Sequence, residues 1–347
     1  MKMNRLGKTD LEVSELCLGT MTFGNQTSEA DAHTQMEMSL DAGINFLDAA
    51  EMYPVNPVAK ETIGLTEEIL GNWFKKTGRR NEYIVATKHS GAGMEYVRDG
   101  APISGETVPA TVEGSLKRLK IDHIDLYQLH WPNRGSYMFR QNWTFDPTSQ
   151  DRASTLQHMA DVLGALGREV EEGRIRHIGL SNESTWGTAM WLKVAEAMAG
   201  PRMETIQNEY SLMCRLADTD LAELMVNEEV SLLPFSPLAA GLLTGKYQNG
   251  AVPDGSRMSL NGNLGGRQTE RAFEAVDAYQ KVADEAGLDL ALMALAWSAQ
   301  RPFVASSIFG ATTSGQLAHL LKAVDVTLGS DVMSALDETH KQHPMPY

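Results

Sequence analysis

The sequence is poor in the features that mark secreted, membrane-spanning and metal-binding proteins. It has only two cysteines, Cys17 and Cys214, which lie far apart and show no metal-ligand spacing. The amino terminus lacks a basic segment followed by an apolar stretch, and no run of about 18 apolar residues occurs. We therefore expect no metal, no membrane contact and a cytoplasmic location.

Positive charge is scarce as well. The 347 residues include 30 Lys+Arg against 45 Asp+Glu, which gives a formal net charge of -15. This charge opposes nonspecific attraction to nucleic acid, and nothing in the sequence indicates a protein partner. The chain also lacks a Walker loop and a Gly-x-Gly-x-x-Gly turn after a strand. Any nucleotide must therefore be held by another kind of site.

Short apolar segments alternate with segments of helical spacing along the chain, which is the pattern of parallel βα units. Eight strands are predicted, at residues 16–19, 45–48, 83–88, 124–130, 176–180, 205–207, 230–235 and 306–309. Six covering helices are predicted, at residues 31–42, 67–76, 109–119, 156–172, 185–197 and 218–228. Asp218 and Asp331 are predicted N-caps. The pattern predicts one α/β domain over residues 1–347, a (β/α)8 TIM barrel.

Two long connections, at residues 131–155 and 239–268, lack helical periodicity and are rich in Gly, Asn, Ser and aromatic residues. Loops of this length in a compact domain are usually functional or disordered. In a barrel, loops at the C-terminal rim set specificity. Trp131, Tyr137 and Trp143 are therefore candidate walls of a substrate site, although loop packing explains an aromatic cluster equally well.

Three predicted strands end in an ionisable residue, namely Asp48, Lys88 and His130. Tyr53 follows Asp48 by five residues. In a barrel all four side chains lie at the same C-terminal rim, so they can converge. Each residue alone has an ordinary explanation, as a turn former, a snorkelling lysine, a loop tyrosine or a buried histidine. Together they form a catalytic set with an acid, a base and a cation.

The chemistry that fits this set is carbonyl reduction. A carbonyl that accepts a hydride develops alkoxide charge and needs a proton. A tyrosine with an ordinary pKa of ~10 can supply it when a nearby cation eases its ionisation. Tyr53 is thus the predicted general acid and Lys88 the cation, with Asp48 holding Lys88 in place. His130 is predicted to orient the carbonyl oxygen.

This tetrad, in this order and these strand contexts, resembles that of the aldo-keto reductase family. The resemblance runs from residues 5–7 and 16–20 to the closing residues 346–347. Residues 49–54 and 64–67 look most like the bacterial Tas-type branch and are similar to potassium-channel β-subunits. The resemblance implies a barrel that reduces aldehydes or ketones to alcohols with NADPH, reversibly in principle.

The resemblance also implies a set of NADP-binding residues: Thr20, Ser181, Asn182, Gln207, Phe235, Ser236, Pro237, Leu238, Gly241, Lys246, Arg257, Gly310, Thr312 and Gln316. Of these, Ser181, Asn182 and Gln207 match the positions that hold the nicotinamide carboxamide. Phe235 matches the aromatic residue that stacks on the nicotinamide ring.

The remaining matches concern the phosphates of the cofactor. Residues 236–238 and 241–246 resemble the belt over the pyrophosphate, and Lys246 and Arg257 match the cations that contact phosphate. Thr312 and Gln316 match the adenosine phosphate site, which makes NADP the implied cofactor. Ordinary helix capping is the alternative explanation for these two residues.

The sequence departs from the family pattern at several positions. His319 and Leu320 stand where many members have Glu-Asn, and Met21 replaces a common tryptophan. Trp131-Pro132-Asn133 follows His130 where Pro-Asp is common. These departures bear on cofactor affinity and leave the tetrad intact. The sequence leaves open whether the substrate is a small dicarbonyl, an aromatic aldehyde or a sugar aldehyde. It also leaves open a second interpretation, an NADP(H)-binding redox-sensing or regulatory module with slow turnover.

Overall fold

The structure is a computed structural model that describes residues 1–347. Ten strands are present: β1 Met3–Arg5, β2 Glu12–Ser14, β3 Leu16–Gly19, β4 Phe46–Asp48, β5 Ile84–His89, β6 Ile124–Leu129, β7 Ile175–Ser181, β8 Met203–Gln207, β9 Ser231–Leu232 and β10 Ser307–Phe309. Strands β3 to β10 form one parallel sheet in the order β10-β3-β4-β5-β6-β7-β8-β9. The Ile308 N–H donates to the Pro234 carbonyl at 2.8 Å, which joins the two edges of this sheet. The predicted eight-stranded (β/α)8 architecture is confirmed.

Each predicted barrel strand coincides with an observed one, with small shifts at the ends. The largest shift concerns the strand predicted at residues 230–235, of which β9 keeps only Ser231–Leu232. Pro234 has no backbone N–H to donate, so the regular ladder stops there. Leu233 and Phe235 still donate to Ile206 and Asn208 of the neighbouring strand segment, at 2.9 and 3.1 Å.

Eleven α-helices surround the sheet: α1 Glu29–Asp41, α2 Leu65–Thr77, α3 Thr107–Leu119, α4 Arg152–Glu171, α5 Thr185–Met198, α6 Asp220–Glu228, α7 Arg257–Leu260, α8 Glu270–Glu285, α9 Leu290–Ala299, α10 Ser314–Leu320 and α11 Ser330–Gln342. The six predicted helices are present as α1 to α6. None of the helices combines the length and the apolar composition that a membrane crossing requires.

Both predicted N-caps are wrong. Helix α6 begins two residues after Asp218, because the Asp218 carboxylate instead accepts hydrogen bonds from the Tyr210 hydroxyl and from Arg215. Helix α11 begins at Ser330 after Gly329, so Asp331 lies inside its first turn. A carboxylate in the first turn still interacts favourably with the helix dipole.

The barrel interior is built in layers. Its N-terminal half is apolar, with one buried cluster made of Leu6, Leu11, Val13, Cys17, Phe46, Ala86, Leu126, Leu233, Ala305 and Ile308. The antiparallel hairpin of β1 and β2 contributes to this cluster and covers the N-terminal end. Because side chains alternate along a strand, the positions two residues beyond Phe46, Ala86 and Leu126 also point inward. These next inward positions are polar and lie at the C-terminal rim.

Helix packing predicts opposite outcomes for two glycine substitutions in helices. A Cβ added at Gly71 of α2 would lie 2.3 Å from the Arg118 carbonyl oxygen, whereas one at Gly164 of α4 would meet nothing within 4 Å. We expect Gly71→Ala to lower the free energy of unfolding by about 1–3 kcal/mol through overpacking. Gly164→Ala should raise it by about 0.5–1 kcal/mol, because alanine has the higher helix propensity.

Urea unfolding followed by circular dichroism measures both changes against the parent protein. Equal effects of the two substitutions would show that α2 and α3 do not pack at Gly71 as described.

Candidate active site

A fully buried ion pair lies at the C-terminal ends of β4 and β5. Lys88 Nζ donates to Asp48 Oδ2 at 2.6 Å and to the Ala49 carbonyl at 2.7 Å. Lys88 is 0% exposed and Asp48 is 3% exposed. Burial by itself lowers the pKa of Lys88, but the negative charge of Asp48 outweighs it and holds that pKa above its ordinary value. Lys88 is therefore a permanent cation in the barrel mouth.

Tyr53 meets this cation from the loop that follows β4. Its hydroxyl lies 3.4 Å from Lys88 Nζ, which also sits 4.9 Å from the centroid of the tyrosine ring. The Tyr53 carbonyl accepts from the Gly64 N–H at 3.0 Å, just before α2, which fixes the loop. Burial raises the pKa of the Tyr53 phenol, and the Lys88 charge opposes that rise. The phenol thus keeps its proton at neutral pH beside a cation that stabilises the phenolate.

His130 follows β6 and completes the group. Its ring centroid lies 5.9 Å from that of Tyr53, at an interplanar angle of 77°. Its Nδ1 atom is buried and has no hydrogen-bond partner within the protein. Burial, together with the positive charge of Lys88, lowers the pKa of His130 well below its ordinary value. The imidazole is therefore neutral, with one N–H donor and one acceptor nitrogen.

The four residues predicted at the strand ends are thus brought together. Two further polar side chains, which the sequence analysis did not single out for this contact, hold the other oxygen of Asp48. Gln207 Nε2 donates to Asp48 Oδ1 at 2.8 Å, and Gln128 Nε2 donates to the same atom at 3.3 Å. Gln128 lies two residues before His130, so strand alternation was the signal that could have identified it.

The predicted carboxamide residues lie beside His130 at the ends of β7 and β8. Ser181 Oγ donates to the Gln207 carbonyl at 2.8 Å, and Asn182 Nδ2 donates to the His130 carbonyl at 3.0 Å. Asn182 Oδ1 is buried and accepts no hydrogen bond. A buried acceptor without a donor is costly, and an amide N–H2 group would satisfy it. These residues fit the carboxamide of a nicotinamide cofactor.

The segment predicted as a phosphate belt has an unusual backbone. Ser236, Ala239 and Ala240 adopt positive φ angles of 55, 48 and 58°, and Gly241 has φ 95°. Non-glycine residues in this region are strained and persist mainly where the surrounding structure imposes them, often at ligand sites. A Cβ at Gly241 would lie 3.1 Å from Lys246 Cε, so glycine leaves room for that cation. The belt therefore keeps a lysine close to the backbone.

Arg257 provides a second cation near the mouth, at the start of α7. Its guanidinium lies 4.0 Å from Met21 Sδ. Burial and the positive charge of Arg267 lower the pKa of Arg257. No carboxylate offsets these two effects, so an incoming phosphate would be favoured at this position.

Other predicted cofactor residues hydrogen-bond to the protein itself. The Thr20 hydroxyl donates to the Asp48 carbonyl at 2.8 Å and so supports the tetrad backbone. The Thr312 N–H and hydroxyl both donate to Gln316 Oε1 at 3.0 Å, while Thr313 caps α10. Thr312 and Gln316 are thus hydrogen-bonded to each other, and the N-cap of α10 is Thr313 and not Thr312. A Cβ at Gly310 would lie 2.9 Å from the Gly19 carbonyl oxygen, so only glycine fits there.

Phe235, predicted to stack on the nicotinamide ring, and the predicted belt residues Pro237 and Leu238 follow β9. Phe235 is half-buried and bridges to Glu209, and Pro237 beside it is buried. Leu238 is half-buried and its carbonyl accepts from the Gly241 N–H at 2.9 Å. Of the departures from the family pattern, Leu320 packs in the core.

His319, the other departure on α10, pairs with Asp289 at 3.3 Å. It is therefore held by the carboxylate that also caps α9.

Similarity to known proteins extends over most of the chain. The family model described as "Aldo/keto reductase family" matches residues 15–341. The chain belongs to the aldo/keto reductase family. It is therefore an oxidoreductase. Protein tas of Escherichia coli (strain K12) is 42% identical over 352 residues, which cover 100% of this chain and 99% of that protein.

Two further relatives of this aldo/keto reductase are similar over most of their length. The "Uncharacterized oxidoreductase YrpG" of Bacillus subtilis (strain 168) is 32% identical over 348 residues, covering 97% of this chain and 95% of that protein. A "Probable voltage-gated potassium channel subunit beta" of Arabidopsis thaliana is 33% identical over 338 residues, covering 94% and 92%.

The aromatic candidates for a substrate wall of this aldo/keto reductase differ in position. The Trp131 ring lies 4.9 Å from that of His130 and 6.3 Å from that of Phe139, so it borders the tetrad. Tyr137 packs against Phe145 instead, at 6.3 Å, and the Trp143 side chain is 64% exposed. Trp131 is the candidate that contacts the tetrad directly. Phe139 joins it as a neighbour that the sequence did not reveal.

The buried environment of His130 predicts how its imidazole titrates. Burial and the Lys88 cation both disfavour the imidazolium, so protonation requires a pH well below the ordinary pKa. We expect the imidazole NMR signals of His130 to remain those of the neutral ring at acidic pH values at which exposed histidines are already protonated. The His130→Asn variant, which lacks these signals, assigns them. A titration midpoint near the ordinary histidine value would show that the ring is not buried beside a cation.

Proposed function

We propose that this aldo/keto reductase reduces aldehydes or ketones to alcohols with NADPH, in a reaction that is reversible in principle. The observation that carries the proposal is the contact of one buried cation with both a carboxylate and a phenol. Lys88 Nζ is held by Asp48 at 2.6 Å and lies 3.4 Å from the Tyr53 hydroxyl. A phenol beside a fixed cation is suited to donate a proton to a developing alkoxide.

Each residue of the tetrad has one role in this proposal. Tyr53 donates its proton to the carbonyl oxygen, and Lys88 stabilises the phenolate that remains. Asp48 fixes Lys88 and keeps it charged. Neutral His130 donates its N–H to the carbonyl oxygen and so orients the substrate before proton transfer. The reduced nicotinamide cofactor supplies the hydride.

The proposed cofactor site rests on unsatisfied polar groups of this chain. Asn182 Oδ1 is a buried acceptor without a donor, suited to the carboxamide N–H2. Lys246 and Arg257 are proposed to bind the pyrophosphate. For the adenosine phosphate that distinguishes NADP from NAD, Thr312 and Gln316 are proposed, and their mutual hydrogen bonds would open to admit it. The Arabidopsis relative is named as a channel subunit, and the same cofactor site would serve either kind of protein.

The proposed substrate is a small carbonyl compound that enters past Trp131. We also propose a cytoplasmic location, since both cysteines, Cys17 and Cys214, are free and buried. The second candidate function is an NADP(H)-binding sensor or regulatory module with slow turnover, favoured by the similarity to a channel subunit. The close approach of the four tetrad residues favours the enzyme.

Removal of the Tyr53 hydroxyl tests the proposed general acid. We expect Tyr53→Phe to lower kcat for carbonyl reduction by about 10²- to 10⁴-fold, because no other phenol is within reach of the Lys88 cation. Tyr83→Phe is a matched control, since Tyr83 lies just before β5, at the end opposite Lys88, and its hydroxyl donates to the Met36 carbonyl. NADPH consumption at saturating substrate measures both. Unchanged reduction by Tyr53→Phe would rule out the assignment.

Removal of the cation separates binding from chemistry. We expect Lys88→Met to bind NADPH with nearly unchanged affinity while losing most turnover, because Lys88 contacts Asp48 and Tyr53. Fluorescence titration with NADPH measures binding, and thermal unfolding monitors the cost of leaving Asp48 unpaired. Normal turnover in this variant would contradict the role of Lys88.

A further inference from the structure

The Asp48 carboxylate is held at both oxygens by different kinds of donor. Oδ2 accepts from the Lys88 ammonium at 2.6 Å. Oδ1 accepts from two neutral amides, Gln207 Nε2 at 2.8 Å and Gln128 Nε2 at 3.3 Å. The two amides are also joined to each other, because Gln207 Nε2 lies 3.2 Å from Gln128 Oε1. The Asp48 side chain is thus held by hydrogen bonds at both carboxylate oxygens, which restricts its rotation.

Gln128 stands out within its own strand. It is 0% exposed and sits on the inward face of β6, two residues above Leu126 of the apolar layer. A buried amide is costly unless its polar atoms are paired. Here the amide oxygen accepts from Gln207 and the amide nitrogen donates to Asp48. Its pairing is therefore directed at the tetrad, and an apolar residue would pack at this position without needing partners.

The register of the sheet explains how Gln128 reaches Asp48. Lys88 of β5 is the pairing partner of Gln128 on β6, so the two side chains enter the barrel at the same level. Asp48 enters from β4, on the other side of Lys88. Gln128 therefore reaches Asp48 from the second strand along the sheet, past Lys88 of the strand between them. The curvature of the sheet turns these inward-facing side chains towards each other.

We propose that Gln128 is a positioning residue for the reaction, which holds Asp48 so that Oδ2 faces Lys88 when Tyr53 gives up its proton. The inference rests on the proposed carbonyl reduction. Gln207 also donates to Asp48, but it is a proposed cofactor contact as well. Gln128 has no proposed contact with cofactor or substrate. Gln128 is therefore the residue at which positioning can be tested separately from cofactor binding.

Two substitutions distinguish positioning from general damage to the fold. Gln128→Leu removes the donor to Asp48 and replaces the amide with an apolar side chain of similar size. We expect kcat to fall about tenfold, because Asp48 loses a donor. Gln207 loses its 3.2 Å contact with Gln128 but keeps its 2.8 Å hydrogen bond to Asp48, so KM for NADPH should stay within about twofold. The ratio of the kcat of this variant to that of the parent enzyme should not vary with pH, since leucine does not titrate.

Gln128→Glu places a titratable donor at the same site. When protonated, the introduced carboxyl group can donate to Asp48 as the amide does. Burial and the negative charge of Asp48 raise the pKa of this carboxyl group, and the Lys88 cation on the neighbouring strand opposes that rise. We expect kcat of this variant to approach that of the parent as the pH falls from about 8 to about 5, and to separate from it as the pH rises. A purely structural role would give the same ratio at every pH, and that result would overturn the proposal.

Tyr127→Phe is the matched control, because Tyr127 is the adjacent residue on the outward face of β6 and its buried hydroxyl has no hydrogen-bond partner. It should behave as the parent enzyme in each assay. A loss of kcat in this control equal to that of Gln128→Leu would attribute the effect to the strand and overturn the proposal.

A crystal structure of the cofactor-free Gln128→Leu protein gives a readout that does not depend on turnover. We expect the Asp48 carboxylate to rotate and its 2.6 Å contact with Lys88 to lengthen. An unchanged contact would overturn the positioning role even if carbonyl reduction is confirmed. A rotated carboxylate in a protein that reduces no carbonyl compound would uphold the contact and reject the proposed function instead.

Discussion

The buried pair of Asp48 and Lys88 is the interaction on which the rest of the site depends. Moving either charge out of water is unfavourable unless the partner and additional hydrogen bonds compensate. Here the ammonium has two oxygen acceptors, and the carboxylate accepts from the ammonium and from two amides. The satisfied pair keeps a positive charge beside Tyr53. Without it the phenol would lie in a buried site that only raises its pKa.

The barrel supplies the conditions for this pair. Its lower interior is filled by apolar side chains and covered by the N-terminal hairpin, so water reaches the tetrad only from the rim. The strands then place one polar layer directly above the apolar layer. The same low-dielectric surroundings keep His130 neutral. Both residues are buried, but they differ in their partners. Lys88 stays charged because Asp48 is its partner, whereas His130 has no carboxylate partner and stays neutral.

The rim segments carry the contacts that extend beyond the tetrad. The carboxylate of Glu209, which follows β8, accepts from Arg140 and Arg267 at 2.8 Å and from the Tyr347 hydroxyl at 3.2 Å. Arg140 lies in the long connection 131–155, Arg267 lies in the connection 239–268, and Tyr347 is the last residue of the sequence. One buried acid therefore connects both long loops to the segment that follows β8, the strand that ends in Gln207.

Much of the fold and the tetrad could be predicted from the sequence, because both follow from short-range patterns. Eight apolar segments are visible along the chain, and three of them end in an ionisable residue. Helix α9 was not predicted because it is buried nearly all round, and a helix without a polar face shows no periodicity. The hairpin strands have three residues each, too few for an alternating pattern. Strand alternation indicates that Gln128 points inward, but its contact with Asp48 depends on the pairing of β4, β5 and β6, which no local pattern reports.

The most direct test of the account is turnover by the purified protein. NADPH absorbance is followed with a panel of aldehydes and ketones, with NADH in parallel. The account predicts substrate-dependent loss of absorbance with NADPH in preference to NADH. Tight NADPH binding without turnover on any carbonyl compound would contradict it and would favour the sensing module.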